Sequence, residues 1–309
     1  MKWLFIIDPI EELNYDTDST YAIMKEVYDR EMEVFFCRIQ DLFYYNGATC
    51  NSKSFFLISD SFRVGADKIL PLDSFDIILM RKDPPYDMKY HYATLILSLT
   101  NTLIINSPKA LRDFNEKLII LPFKKYIPET FVTSNESQIN SFVRSHPEGI
   151  IIKSLHSYQG RSVVMIKKDY ENYKEAIMAY TSNFTSPIMI QEYIPKVRIG
   201  DKRILVLGGK PIGAVLREPL ENSYLANLGQ GGTPKKTTIT HQEYELVNEM
   251  SNFLLKNGLY FVGLDVIGGL LTEINITCPT GIVHINKLNG VFLEKEIVDY
   301  FFNLIKNSL

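Results

Sequence analysis

Short apolar runs alternate with segments of helical period over the first third of the chain. KWLFIID precedes DSTYAIMKEVYDR, where Asp18 or Ser19 can cap a helix whose Ala22, Ile23 and Val27 recur at helical spacing. EVFFCRI gives a second strand, FDIILM a third, YATLILSL a second helix and TLIIN a fourth strand. Such alternation predicts a parallel sheet covered by helices, with ligands at the carboxyl ends of the strands. A helix over about 111–121 then meets Pro122 and Pro128, the first convincing boundary. ETFVTS, a helix near 137–145, the strand GIIIKSL, the turn SYQG and the strand SVVMIKK predict a small α+β lobe, and MIQEYI opens the last lobe.

The most informative pattern is FVGLDVIGGLLTEINIT, over 261–277. Val262, Leu264, Val266 and Ile267 read as one half-buried strand, Thr272, Ile274 and Ile276 as the next, and Gly268-Gly269 as the turn between them. Glu273 and Asn275 then share a face, because side chains alternate along a strand. A two-residue loop would turn Asp265 away from them, so a three-residue loop or a bulge is expected at 268–270, with Ile267 opposite Leu271. Asp265 would then oppose Glu273, and like charges so placed destabilise a sheet by about a few tenths of a kcal/mol unless a cation bridges them. Hard oxygen donors of this kind suit Mg²⁺ shared with the phosphates of a nucleotide.

Composition adds limits. At 309 residues the chain is longer than the ~250–300 at which single cores stop growing, so two or three packed lobes are expected. A formal net charge of -3 carries no polyanion signature, and nucleic acid is not expected as a partner. Cys37, Cys50 and Cys278 lack paired spacing and fit a reducing cytoplasm. The apolar run in MKWLFIIDPI meets Asp8 and Pro9, too brief for a signal segment or a membrane span, so no membrane partner is expected. The histidines show no metal-binding cluster, and GxSxG, Walker A and GxGxxG motifs do not occur.

Several groups invite chemistry singly. Lys153, inside the apolar strand 149–155, needs an anion or a route to solvent. Lys117 in RDFNEKL is ambiguous alone, and SLHSYQG offers only Gly160 for a phosphate loop. In MRKDPPYD, Pro84-Pro85 is read as an extended lock holding Arg81, Lys82 and Asp83 at a strand's carboxyl end. Arg203 and Arg217 sit on strand-like runs, fit to contact phosphate or carboxylate. Pro279, Thr280 and Gly281 form a rigid loop after the acidic hairpin.

In order, IDPI, ILMRKDPP, INSPKALRDFNEKL, PETFVTS, IIIKSL, GDKRILVLGGKPIGA, NLGQGG, GLYFVGLDVIGGLLTEINIT and CPTGI closely resemble the bacterial glutathione synthetases, which are ATP-grasp ligases. The resemblance runs the full length. It implies an α/β chain: an N-terminal parallel-sheet (pre-ATP-grasp) domain over 1–119, then a two-lobed α+β ATP-grasp domain over 120–309. Within the latter the lid lobe would span about 120–189 and the catalytic core lobe about 190–309. The implied reaction condenses γ-glutamylcysteine with glycine, using ATP and Mg²⁺, with Mn²⁺ as a substitute, in a cytoplasmic homo-oligomer. No apolar stripe read from the sequence marks where copies would meet.

By motif, the resemblance assigns Lys117, Lys153 and Gly160 to nucleotide phosphates, and Gln191, Glu192, Tyr193 and Ile194 to adenine. Asp201 falls at the ribose, and Arg203, Arg217 and Lys153 at the reacting groups. Asp265, Glu273 and Asn275 match the metal positions. Arg81, Lys82, Asp83, Asn227, Pro279, Thr280 and Gly281 match substrate positions, with 221–233 as the covering loop. Three departures stand out: SLHSYQG where the family has a glycine-rich DGMGG-like loop, Leu225 for an arginine, and Val283-His284 for Arg-Glu. They leave open a related carboxylate-amine ligase, or a nucleotide-binding protein with little ligase activity.

Overall fold

The computed structural model describes residues 1–58, 61–155, 163–166, 173–221, 226 and 231–308. The chain opens with β1 (Lys2–Ile6), α1 (Ser19–Asp29) and β2 (Glu33–Cys37). Asp18 caps α1 by accepting from the amides of Thr20 and Tyr21. Next come β3 (Leu42–Tyr44), β4 (Ala48–Ile58) and β5 (Ser61–Pro71), then β6 (Ile77–Met80), α2 (Met88–Leu97), β7 (Leu103–Ile105) and α3 (Pro108–Asp113). Strands β2, β1, β6 and β7 are parallel neighbours in that order, as the alternation predicts. β3, β4 and β5 add antiparallel to this sheet, a meander the hydropathy pattern does not reveal because β5 is largely exposed and carries no buried stripe. The chain leaves β1 toward β2 on one side and reaches β6 on the other. Their carboxyl ends therefore flank the crevice where strand order reverses, the place such sheets bind ligands.

The helix expected over 111–121 is broken. α3 stops at Asp113, Phe114 is extended, and only a 3₁₀ turn over Leu118–Ile120 follows. Asn115 explains the break, since its side chain accepts from the amides of Lys117 and Leu118 at 3.0 and 3.3 Å in place of helical carbonyls. A second, four-stranded antiparallel sheet follows, built from β8 (Thr130–Thr133), α4 (Glu136–Ser145), β9 (Ile150–Ser154), β10 (Val163–Ile166), α5 (Tyr173–Tyr180) and β11 (Ile188–Glu192). MIQEYI, read as the opening of the last lobe, instead supplies β11, which pairs with both β8 and β9.

The third sheet has the order β14-β13-β12-β15-β16, from β12 (Asp201–Leu207), β13 (Lys210–Glu218), β14 (Thr233–Lys236), β15 (Phe261–Ile267) and β16 (Leu270–Asn275). α6 (His241–Lys256) precedes β15, and α7 (Ile282–Asn289) and α8 (Leu293–Ser308) close the described chain. Two hydrophobic clusters each run from the N-terminal sheet into this third sheet, one through Leu4, Ile78 and Leu264, the other through Phe5, Leu79 and Leu205. The second sheet has its own core of Ile139, Phe142, Ile152, Ile177 and Ile190. The first and third sheets are thus built as one body, and the second lobe, besides its own core, packs against it through Met189, Val132 and Leu155.

The β15–β16 hairpin corrects one detail of the sequence reading. Its loop holds only Gly268 and Gly269, at φ of 60° and 88°, with Ile267 opposite Leu270. The extra residue lies further along, where Val266 pairs with Leu271 and Asp265 with Glu273, leaving Thr272 as the bulge. The predicted consequence is intact: Asp265 opposes Glu273.

Candidate active site

Alternation on the third sheet sorts its side chains. Ile204, Val206, Leu264 and Ile274 enter the cluster beneath α6, whereas Asp201, Arg203, Asp265, Glu273 and Asn275 lie on the opposite face. Register then makes pairs: Arg203 lies directly across from Asp265, and Asp201 from Arg217. Arg203 holds the Asp265 carboxylate with Nε to Oδ1 at 2.6 Å and Nη2 to Oδ2 at 3.1 Å. Arg217 Nη2 donates to Asp201 Oδ2 at 2.5 Å and lies 2.9 Å from Asp265 Oδ1. Of the opposed pair, Asp265 is thus neutralised by two arginines, whereas Glu273 has Lys117 as its cationic partner.

Two lysines approach from other lobes. Lys153 on β9 is buried and donates Nζ to the carbonyl of the bulge residue Thr272 at 3.1 Å. Lys117 Nζ lies 3.5 Å from Glu273 Oε1. Burial pulls the Lys153 ammonium down from its ordinary value, Glu273 opposing and Lys117 reinforcing the shift. Burial likewise raises Asp201 to about 6 despite the pull of Arg217, with neighbouring Asp265 adding to the rise. Asp265, gripped by two guanidiniums, is held below the usual carboxylate range against its burial. Two buried carboxylates thus share Arg217, and Asp201 takes up a proton before Asp265 as pH falls.

At the crevice between β1 and β6, Arg81 is buried with Nε donating to Thr20 Oγ1 at 3.0 Å and Nη2 to the Pro279 carbonyl at 2.9 Å. Lys82 pairs with Asp8 at 2.8 Å, and Asp8 accepts from the Asp83 amide at 2.9 Å. The Pro84–Pro85 peptide, read as extended, is cis. Thr280 offers its carbonyl to Arg203 Nη1 at 3.4 Å, and the amides of Gly281 and Ile282 donate to Ser19 Oγ. The loop at 279–281 is therefore tied to the N-terminal domain through its backbone. A cavity of about 240 Å³ opens beside Lys117, walled by Pro84, Tyr86, Glu116, Leu155 and Thr277.

The adenine candidates lie at the end of β11. Gln191 is buried with Nε2 donating to Thr130 Oγ1 at 3.0 Å, Glu192 Oε1 accepts from the Glu129 amide at 3.0 Å, and the Tyr193 amide donates to the Gly149 carbonyl at 3.2 Å. The Ile194 carbonyl accepts from the Val197 amide. Gly160, Asn227 and Leu225 lie outside the described residues, as do Tyr158 and Gln159.

Sequence reasoning missed three supports. Glu116 accepts from the amides of Ile276 and Thr277 and from Thr277 Oγ1, at 2.8–3.0 Å, fixing the strand end beyond Asn275. Asn106 donates to the carbonyls of Phe261 and Ile276 and accepts from the Phe261 amide, joining β7 to both strands of the hairpin. Ser19 tethers the start of α7. Only Glu116 had a local signal, its place in NEKL beside Lys117.

Three buried polar atoms of this site have no partner among the described residues: Arg81 Nη1, Asp201 Oδ1 and Arg217 Nε. Leaving such atoms unpaired costs about 1–3 kcal/mol each, more for charged groups, so each is a place for a ligand atom. Among the described residues no three His, Cys, Asp or Glu side chains group as metal ligands. The fit to a hard divalent ion rests on Asp265, Glu273 and Asn275, whose Nδ2 makes both amide bonds, to Gly263 and Asp265, and leaves Oδ1 as an oxygen donor. Asp265 accepts from both arginines and Asn275, so loading a metal requires exchange of at least one of these bonds.

Comparison with known proteins identifies the family. The model of the prokaryotic glutathione synthetase N-terminal domain matches residues 1–112, and that of the family's ATP-grasp domain matches 116–290. The chain is 38% identical to the glutathione synthetase of Gloeobacter violaceus, covering 100% of this chain and 99% of that protein. It is 37% identical to the glutathione synthetase of Synechocystis sp., over 96% of this chain and 98% of that one. In fold it resembles D-cycloserine synthetase DcsG, with a TM-score of 0.67 at 12% identity, covering 99% and 100% of the two chains. The macrocyclase MdnC from Microcystis aeruginosa aligns with a TM-score of 0.63 at 13% identity, over 97% and 100%. The chain is an ATP-grasp ligase and belongs to the prokaryotic glutathione synthetase family.

Proposed function

We infer that this chain joins γ-glutamylcysteine to glycine with ATP, giving glutathione, ADP and phosphate. The observation that carries the reading is the pair of unpartnered buried atoms on Asp201 and Arg217, with Lys153 acting on Asp201, in a chain related over its length to glutathione synthetases. Residues 1–119 would bind the dipeptide and 120–309 the nucleotide, with about 120–189 as the lid. Arg81, with one guanidinium nitrogen unpaired, suits a substrate carboxylate. Lys82, Asp83, Asn227 and 279–281 complete the substrate set. Gln191, Glu192, Tyr193 and Ile194 would receive adenine, Asp201 the ribose, and Lys117, Lys153 and Gly160 the phosphates.

The cysteinyl carboxylate attacks the γ-phosphorus of ATP, giving an acyl phosphate and ADP. The amine of glycine then displaces phosphate. Neither step needs a protein nucleophile. Catalysis comes from holding the reactants together and from balancing oxygens that gain charge, the work of Lys153, Arg203 and Arg217. Mg²⁺, or Mn²⁺ in its place, would be held by Asp265, Glu273 and Asn275 and would neutralise phosphate oxygens. The lid lobe, with a core of its own, can close as a unit and keep water from the acyl phosphate. Reduced, unpaired cysteines fit a cytoplasmic setting, and the resemblance favours a homo-oligomer.

The test is ADP release with ATP, Mg²⁺, γ-glutamylcysteine and glycine, against mixtures each lacking one substrate. Release that needs both, with glutathione formed in equal amount, is expected. Release dependent on one substrate alone would reassign the acceptor, and none would overturn the ligase reading.

A further inference from the structure

Lys117 and Lys153 come from different parts of the chain, yet both reach one short stretch of β16. Lys117 Nζ lies 3.5 Å from Glu273 Oε1, and Lys153 Nζ donates to the Thr272 carbonyl at 3.1 Å. One further bond joins the two lysine segments directly. Asn115, two residues before Lys117, donates Nδ2 at 2.7 Å to the carbonyl of Leu155, two residues after Lys153.

The other end of the same side-chain amide is also engaged. Asn115 Oδ1 accepts from the amides of Lys117 and Leu118 at 3.0 and 3.3 Å. Two N–H groups at Oδ1 and a carbonyl at Nδ2 admit only one orientation of this side chain. The Glu116 carbonyl in turn accepts from the Ile274 amide at 3.0 Å, between Glu273 and Asn275, so the segment around Asn115 is pinned to the acidic hairpin. Asn115 therefore connects that hairpin to the end of β9, and both it and Leu155 line the cavity of about 240 Å³ beside Lys117. Residue chemistry narrows the role. Ser, Asp and Asn all serve where a side-chain oxygen accepts from amides two and three residues on, but of these only Asn also offers a donor on the far side. An aspartate would set an acceptor-only oxygen against the Leu155 carbonyl. The bond to Leu155, rather than the turn alone, thus accounts for Asn at this position.

We propose that Asn115 is a positioning residue for nucleotide binding, latching the carboxyl end of β9 to the hairpin so that Lys153 is held at a fixed offset from Lys117. The inference rests on the assignment of both lysines to nucleotide phosphates and names the residue that sets them as a pair. Two cations that must meet one polyphosphate bind it less well when either is free to drift, because ordering them then costs free energy at the moment of binding.

The test is calorimetric titration of ADP with Mg²⁺ into the wild type, Asn115→Ser, Lys153→Gln and the double variant, with folding verified by thermal unfolding. Asn115→Ser keeps the acceptor for the turn and adds no charge. Its affinity should fall about fivefold, the worth of one hydrogen bond. In the Lys153→Gln background the same substitution should weaken binding by less than about twofold, because the latch acts through Lys153. Unchanged affinity in Asn115→Ser, or losses that multiply in the double variant as those of a merely structural residue do, would overturn the proposal. A wild type that does not bind ADP overturns the assignment of the lysines to phosphates, and the latch with it. Should Asn115→Ser not fold, Asn115→Thr is judged by the same two criteria.

Discussion

Asp265 and Glu273 show what single residues contribute here. Asp265 is buried, yet two guanidiniums hold it ionised, whereas Glu273 keeps a partly open carboxylate facing Lys117. Glu273→Gln keeps shape and removes charge, so we expect a fold near wild type and a kcat lower by about 100-fold, with weaker Mg²⁺ dependence. Normal turnover in that variant would remove Glu273 from the metal set. Asp201 gives a pH signature of the opposite sign to that of Asp265. Its folded value of about 6 exceeds the ordinary 3.8, so between these limits the native state holds more protons than the unfolded one. Stability then falls as pH rises through the window, by on the order of 3 kcal/mol for this group. Asp265, depressed by its arginines, contributes stability present above the unfolded pKa and lost as pH falls through the folded one. Denaturant titrations of the ligand-free protein between pH 4 and 6 should show Asp201→Asn losing less stability with rising pH than the wild type. Equal slopes would contradict the assignment to Asp201.

Among elements, the β15–β16 hairpin has the largest effect for its size. Thr272 is the one residue that brings Glu273 and Asn275 onto the face of Asp265, and its carbonyl receives Lys153. Deleting Thr272 leaves the Gly-Gly loop intact but turns both side chains toward the core beneath α6. We expect turnover below about 1% of wild type, with lower thermal stability from burying a carboxylate without a partner. Retained activity would show that the bulge does not set the register. The hairpin was legible in the sequence because apolar alternation runs through FVGLDVI and LLTEIN, and the opposition of two carboxylates demanded an extra residue somewhere. The position of that residue was not legible, since Thr272 is stabilised by its hydroxyl donating to the Asp265 carbonyl and by Lys153 from another lobe. Similarly, β1, β2, β6 and β7 could be read from their buried runs, whereas β5 could not. Glu116 and Asn106 act through bonds to residues more than a hundred positions away, beyond any local pattern.

At the scale of the whole molecule, two cores bind the first and third sheets, and a third lies within the lid, which touches the first of them through Met189 and Val132. Hydrogen exchange should therefore show β8, β9 and β11 opening independently, and β1, β6, β12 and β15 exchanging together at the highest free energy. Asn106→Ala would break the junction between them, leaving the Phe261 and Ile276 groups unsatisfied, and should destabilise that joint unit by about 3 kcal/mol without lowering lid protection. Equal loss of protection in the lid would mean that the lobes unfold as one. The charges gathered around the third sheet balance one another. Arg81, Lys117, Lys153, Arg203 and Arg217 stand against Asp83, Glu116, Asp201, Asp265 and Glu273, five cationic side chains against five acidic ones. The cleft is thus close to electroneutral by its own side chains. A nucleotide polyanion entering alone would upset that balance, and so would a divalent cation entering alone, so the cleft admits them best as a matched set. Its grip on that set should then vary little with ionic strength, unlike that of a site built from uncompensated positive charge.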